Sequence, residues 1–251
     1  MSNELRIAIG AAKKGAKEAL KWYNKPLEIR LKEDKSVVTI ADEQSENAIK
    51  QFILSYYPTA RFIAEESRGN QKEIECWIID PIDGTRNFSR GIPLWSVLIS
   101  LYRKGEFVIG VCYFPVFNWL IFAEKNKGAF CNGKKINVSS ISNLRVSYTA
   151  FGSPRHFKNK QKIIDLINAS GSTRCMDLSY SAYLVASGKM DVLVDAYGKI
   201  WDVAPFKVIV EEAGGKLTNL QGNPWTINDE GYIATNGLLH DQIVQLINSQ
   251  V

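Results

Sequence analysis

The segment Trp77-Ile78-Ile79-Asp80-Pro81-Ile82-Asp83-Gly84-Thr85-Arg86-Asn87-Phe88 constrains this chain more than any other. A short apolar run, Cys76 to Ile79, reads as a strand and delivers Asp80 at its end. Pro81 carries no N–H and is expected to stop the ladder, so that the following turn returns Asp83 to the side of Asp80 and presents the carbonyl of Ile82. Two carboxylates and a carbonyl then share one small volume, and they repel one another unless a cation sits among them. An oxygen-only set selects a hard ion such as Mg²⁺, which keeps coordination positions for water and a substrate phosphate. Gly84 lets the backbone approach a ligand, and a helix beginning there would leave the N–H groups of Gly84 and Thr85 as an anion site. The plainer reading makes Asp83-Gly84 an ordinary turn and Asp80 a helix cap.

Two further segments bear on that choice. Glu65 and Glu66 follow a second apolar run, Arg61 to Ala64, and Asp202 follows Ile200-Trp201 at the start of another predicted helix. Taken singly, the first is a solvated loop and the second an N-cap. Three acidic sites at element termini together favour one shared centre.

Around these segments the periodicity predicts an amphipathic helix from Leu5 to Tyr23, with Lys13, Lys14 and Lys17 on its wet face. A second helix is expected from Glu43 to about Tyr56, capped by Asp42 and ended by Pro58. The middle of the chain is rich in strands: Leu94 to Tyr102, Phe107 to Phe114, Trp119 to Glu124, and a hairpin through Asn132-Gly133, whose dipeptide suits a tight primed turn. These make a large, mostly antiparallel sheet. The second half alternates strands (Arg145 to Phe151, Met190 to Ala196, Gly231 to Thr235) with helices (Lys160 to Ile167, Ser181 to Ser187, Val203 to Ala213, Leu238 to Ile247). Gly214-Gly215 closes the third of these helices. With no repeat or Gly/Ser linker, the division falls inside a compact body, into residues 1–140 and 141–251.

Composition removes several function classes. The four cysteines form no C-x-x-C pair and the two histidines, His156 and His240, stand in no zinc-ligand spacing, which argues against a zinc site, a redox dithiol or a disulfide framework and for a reducing cytoplasm. Lysines interrupt the first apolar stretch and no later run spans a bilayer, so neither export nor a membrane is expected. The net charge of +5 favours anionic partners, but Lys and Arg are scattered, without the dense basic run of a nucleic-acid protein. Gly128 to Lys134 nearly matches a phosphate loop, yet Lys135 replaces the Ser or Thr and the segment reads as a hairpin. No G-x-G-x-x-G occurs. Trp95, in an alternating strand, reads as a core aromatic rather than a substrate-stacking one.

The chain resembles the inositol monophosphatase superfamily of Mg²⁺-dependent, often lithium-sensitive phosphatases. Asp80-Pro-Ile-Asp83-Gly-Thr85-Arg-Asn-Phe matches its signature, Ile63-Ala-Glu65-Glu66-Ser67 its acidic pair, and Trp201-Asp202-Val-Ala with Glu211-Glu-Ala-Gly-Gly215 its second signature. Val38-Thr-Ile-Ala-Asp42, Gly128 to Gly133 and Ala234-Thr-Asn-Gly237 also fit, so the resemblance runs from about Asp34 to His240. It implies an α/β (α+β) fold, an α-β-α-β-α layered sandwich, assembled as a homodimer. It further implies two or three Mg²⁺ ions, with Glu65, Asp80 and the Ile82 carbonyl on one metal and Asp80, Asp83 and Asp202 on a second. The resemblance also implies that Thr85, Asp42 and Glu65 are the catalytic residues, with Asp42 and Thr85 holding the water that attacks phosphorus. Gly84 and Thr85 bind phosphate; Asp195, Asp177 and Arg86 lie on the substrate side.

The implied substrate is a small phosphate monoester of a polyol or amino alcohol, inositol 1-phosphate by default. Met176-Asp177-Leu178-Ser179-Tyr180 departs from the small-residue run of inositol phosphatases. Asp177, with Gly91 to Trp95 and Asn236 to Asp241, is similar to the histidinol-phosphate phosphatases, where it would pair with a cationic amine. Phosphatases of fructose 1,6-bisphosphate or of nucleotide 3′,5′-bisphosphates, and a catalytically silent binding subunit, are the remaining readings.

Overall fold

The computed structural model describes residues 1–31, 37–67 and 75–249; Asp34, where the resemblance begins, lies outside them. In chain order the elements are α1 (Asn3–Leu20), β1 (Arg30–Leu31), β2 (Val37–Val38), α2 (Ile40–Leu54), β3 (Phe62–Ala64), β4 (Glu75–Asp83), α3 (Thr85–Phe88), β5 (Ser96–Arg103), β6 (Glu106–Phe114), β7 (Trp119–Glu124), β8 (Ala129–Cys131) and β9 (Lys134–Ile136). After a 3₁₀ turn at Leu144–Val146 follow β10 (Tyr148–Phe151), α4 (Gln161–Ala169), β11 (Ser172–Cys175), α5 (Leu178–Ala186), β12 (Val192–Asp195), α6 (Ile200–Glu212), β13 (Lys216–Thr218), β14 (Tyr232–Thr235) and α7 (His240–Asn248).

Strands β3 to β9 form a seven-stranded sheet in sequence order, antiparallel except for the β3–β4 pair. A five-stranded mixed sheet runs β11-β10-β12-β14-β13. Helices α1 and α2 pack on each other and on one face of the larger sheet. Helix α6 packs on its other face while also touching β13 and β14, and α5 lies beside it against β12 and β14. Helices α4 and α7 contact each other, and α7 packs on β14. The result is the expected α-β-α-β-α sandwich.

Both sheets are covered on both faces, which is why their strands read as near-continuous apolar runs. Along β4, Trp77 and Ile79 face the α1/α2 core while Cys76 and Ile78 face the central α5/α6 core. Along β12, Val192 and Val194 join the outer core with Leu166 and Ile243, and Leu193 joins the central one. Helix α6 comes so close to β6 that a Cβ on Gly110 would stand 2.1 Å from the Pro205 carbonyl oxygen, so only glycine fits.

Several boundaries differ from the sequence expectation. Thr39, not Asp42, caps α2; Asp42 is the third helical residue and accepts the Thr39 N–H in a capping box. Helix α6 begins at Ile200 rather than Val203, and Pro205 sits inside it. Helix α5 begins at Leu178, capped by Asp177. Residues 144–146 make a 3₁₀ turn where a strand was expected, because Arg145 and Val146 do not alternate into a core. The hairpin at Asn132-Gly133 has positive φ at both residues, 49° and 79°, as a primed turn requires.

Candidate active site

Pro81 does not end β4. The ladder resumes beyond it: Asp80 pairs with Leu98 and Asp83 with Ser96, three residues against two, so one extra residue bulges from the strand. In a regular strand, residues three apart point to opposite faces. The single-residue bulge restores the parity and puts Asp80 and Asp83 on one side. Pro81 suits this position because it has no N–H to lose, and its carbonyl accepts from Ser45 Oγ at 3.1 Å. Gly84 then turns the chain at φ 85°, and α3 begins at Thr85.

Helix α6 brings in Asp202 from its first turn, where Oδ2 accepts the Lys199 N–H at 2.7 Å. Asp80, Asp83 and Asp202 each place one oxygen within 4.8 Å of the other two. Asp83 Oδ2 is buried without a hydrogen-bond partner. Glu65 follows β3, its N–H donating to the Ile79 carbonyl at 3.2 Å, and its charge bears on Asp80, Asp83 and Asp202. Burial and the facing carboxylates hold Asp80 and Asp83 well above the usual carboxylate range. Burial, then Glu65, pushes Asp202 up to about 7. Such a cluster is costly when ionised and empty. Its oxygen-only donors and orphaned carboxylate oxygen fit a hard divalent cation, which would reverse the repulsion.

Asp42 joins through Thr85. The Thr85 hydroxyl lies 3.0 Å from Asp42 Oδ1 and 3.0 Å from the Ile82 carbonyl oxygen. Burial raises Asp42 to about 6 against the lowering effect of its Thr39 hydrogen bonds.

An open cavity of about 400 Å³ lies over these groups, lined by Glu65, Asp83, Gly84, Thr85 and Arg86 together with His156, Asp177 and Asp195. Arg86 is exposed. Asp177 does two jobs: Oδ1 receives the Ser179 hydroxyl at 3.1 Å at the start of α5, and Oδ2 receives Asn87 Nδ2 at 3.1 Å. Asp195 is buried, its Oδ1 accepting the Tyr197 N–H at 3.1 Å and facing His156 Nδ1 at 3.6 Å. Trp95 is core, packed edge-on against Phe88 at 4.9 Å. The sequence motifs give no sign of His156 or Asn87 as bridging groups; His156 belongs to no pattern, and only the folding of its loop over β12 brings it to the cavity.

The chain's likeness to known proteins agrees with this geometry. The model of the inositol monophosphatase family matches residues 1–251. A histidinol-phosphatase of Chlorobaculum parvum is 34% identical over 99% of this chain and 98% of its own length. A fructose-1,6-bisphosphatase/inositol-1-monophosphatase of Thermotoga maritima is 34% identical over 86% of this chain and 84% of its own. A solved IMPase of Thermotoga maritima superposes with a TM-score of 0.91 at 30% identity, covering 98% of this chain and 97% of that one.

Proposed function

The chain belongs to the inositol monophosphatase family of phosphatases, and from that premise we propose that it is a Mg²⁺-dependent phosphomonoesterase acting on a small phosphorylated polyol or amino alcohol. The observation that carries this reading is the convergence of Asp80, Asp83 and Asp202 beside a cavity that opens at the start of α3. Glu65, Asp80 and the Ile82 carbonyl would hold one ion, and Asp80, Asp83 and Asp202 a second, with two or three ions per site. Bound there, the cations would supply Lewis-acid stabilisation of charge on the phosphate oxygens and favour ionisation of a nearby water.

The protein's own groups do the positioning. The Gly84 and Thr85 N–H groups face the phosphate, and the Thr85 hydroxyl with Asp42 and Glu65 orients the attacking water in line with the leaving oxygen. Arg86 at the mouth adds positive charge for an anionic substrate. Asp195 and Asp177 serve the alcohol side. No covalent enzyme intermediate is needed.

Inositol 1-phosphate is the default substrate. Histidinol phosphate is the second reading, favoured by the Asp177 carboxylate on the cavity wall, which suits a cationic amine. We place the enzyme in a reducing cytoplasm, as a homodimer of subunits whose halves are 1–140 and 141–251. Its four cysteines form no disulfide, and among the described residues no helix is long and apolar enough to cross a membrane. The test is phosphate release from both substrates, with fructose 1,6-bisphosphate and adenosine 3′,5′-bisphosphate alongside, in Mg²⁺ and in EDTA. Release from at least one monophosphate, abolished by EDTA, is expected; turnover that survives EDTA sinks the proposal.

A further inference from the structure

The alcohol side of the cavity holds a pair whose arrangement refines the proposed function, on which this inference rests. Asp195, at the end of β12, has 0% of its surface exposed. One carboxylate oxygen accepts the Tyr197 N–H at 3.1 Å and faces His156 Nδ1 at 3.6 Å. The other is buried without a partner and lies so close to Gly152 that a Cβ there would stand 2.1 Å away. Asp195 belongs to the cavity lining, yet with none of its surface exposed it meets a ligand only where a neighbour gives way. His156 is the neighbour on the open side: it lines the cavity, leaves 36% of its side chain exposed, and rests against the Tyr197 ring at 4.6 Å between centroids.

We infer that His156 is the group that touches the substrate alcohol, and that Asp195 is a positioning residue acting through it. A neutral imidazole carries one proton, and a carboxylate facing Nδ1 holds that proton there. The carboxylate and the Tyr197 ring then hold the imidazole in one orientation, with Nε2 as the ring nitrogen left for the substrate. The cavity thus presents His156 and the Asp177 carboxylate together. The alcohol that fits them carries hydrogen-bond donors, hydroxyls or an ammonium, near the phosphate ester. A site built to receive a donor discriminates strongly against an analogue that lacks one, because its own polar groups are then left unpaired.

The experiment measures kcat and KM in Mg²⁺ for inositol 1-phosphate, histidinol phosphate and p-nitrophenyl phosphate, whose leaving group has no donor. The proteins are wild type, His156→Ala, His156→Gln, Asp195→Asn and the Asp195→Asn/His156→Ala double variant. The readout is selectivity, the ratio of kcat/KM for the better donor-bearing substrate to that for p-nitrophenyl phosphate. We expect His156→Ala to lower this ratio about tenfold, in line with the loss of one contact to a substrate donor. His156→Gln, whose amide oxygen can accept, should recover part of it. Asp195→Asn should lower the ratio too, and the double variant should do no worse than His156→Ala, because both changes remove one interaction. Losses that multiply in the double variant would show that Asp195 meets the substrate independently and overturn the assignment, as would an unchanged ratio in His156→Ala. Should Asp195→Asn fail to fold, the two His156 variants decide alone. A wild type that releases no phosphate from any of the three substrates overturns the phosphatase reading and this inference with it, whereas an active wild type with an indifferent His156→Ala overturns only the inference.

Discussion

The Thr85 hydroxyl stands 3.0 Å from Asp42 Oδ1 and 3.0 Å from the Ile82 carbonyl oxygen, yet it has one proton to give. Its oxygen is therefore the junction between the first turn of α2 and the bulged end of β4. In the proposed reaction that junction orients the attacking water, an interaction used on the way to the transition state. Thr85→Ala keeps the backbone N–H for phosphate. We expect kcat to fall about 10²-fold while KM changes less than about threefold. Steady-state kinetics on the preferred monophosphate check this, and a raised KM with unchanged kcat would make Thr85 a binding residue only.

Asp83→Asn and Asp202→Asn should each nearly abolish turnover at saturating Mg²⁺ and leave the far-UV circular dichroism unchanged. Both carboxylates are assigned to one ion, and each also repels its neighbours when no cation is bound. The metal-free variants are therefore expected to melt at the same temperature as the metal-free parent or higher. Near-normal phosphate release by either variant refutes the ligand assignment.

The pH dependence of the metal-free protein has a definite sign. Asp202 is raised to about 7 and Asp42 to about 6, against 3.8 for an ordinary aspartate. Between those values the folded protein holds protons that the unfolded chain releases, so these groups make stability fall as pH rises from about 4 to about 7. A bound divalent cation takes the place of the protons. The gain in melting temperature on adding Mg²⁺ should accordingly be small near pH 5 and large near pH 8; a gain independent of pH contradicts the site.

His240 acts in the opposite sense. It is buried against the paired strands β13 and β14, with Nε2 3.0 Å from Thr218 Oγ1 and Nδ1 3.0 Å from Thr235 Oγ1. Thr218 gives its own proton to the Asn219 carbonyl, so it receives the Nε2–H, and Nδ1 accepts from Thr235. Burial, then Lys216, lowers this imidazole to about 4 from 6.5. The unfolded chain takes up the proton first, and the stability contributed by neutral His240 is lost as pH falls from about 6.5 to about 4. The melting-temperature advantage of wild type over His240→Gln should shrink across that window, and an advantage that stays constant would show that His240 takes up its proton alike in the folded and unfolded states.

Much of the architecture was legible in the sequence because most of its strands are covered on both faces and its outer helices, such as α1, α4 and α7, on one, which leaves strong apolar runs and 3.6-residue stripes. What escaped has local causes. Ser172–Cys175 forms an edge strand with mostly exposed residues, so no apolar pattern marks it. The expected helix from Val203 starts three residues earlier, at Ile200, and so carries Pro205 inside it, beyond the first turn where proline is best tolerated. At the site, Asp80, Asp83, Glu65 and Asp202 were legible because each follows an apolar run, and the fold brings them within electrostatic reach of one another. His156 was not, since its place depends on a loop crossing over β12. Asp177 was read as a substrate group alone; it is a helix cap that also lines the cavity, a double role that spacing alone does not reveal.

The bulge between Asp80 and Asp83 makes the candidate centre a matter of counting as well as of chemistry. Every side chain that follows along the strand inherits its face from the number of residues that precede it. Deleting Ile82 would remove no carboxylate and would leave Asp80 and Asp83 two apart on one face, yet it would restore an unbroken ladder and erase the bulge along with the carbonyl that Thr85 meets. Substitutions across this stretch can be absorbed one side chain at a time, whereas a change of length has no local remedy. Within these few residues the fold, as distinct from turnover, is expected to tolerate exchange far better than insertion or loss, the reverse of what a surface loop allows.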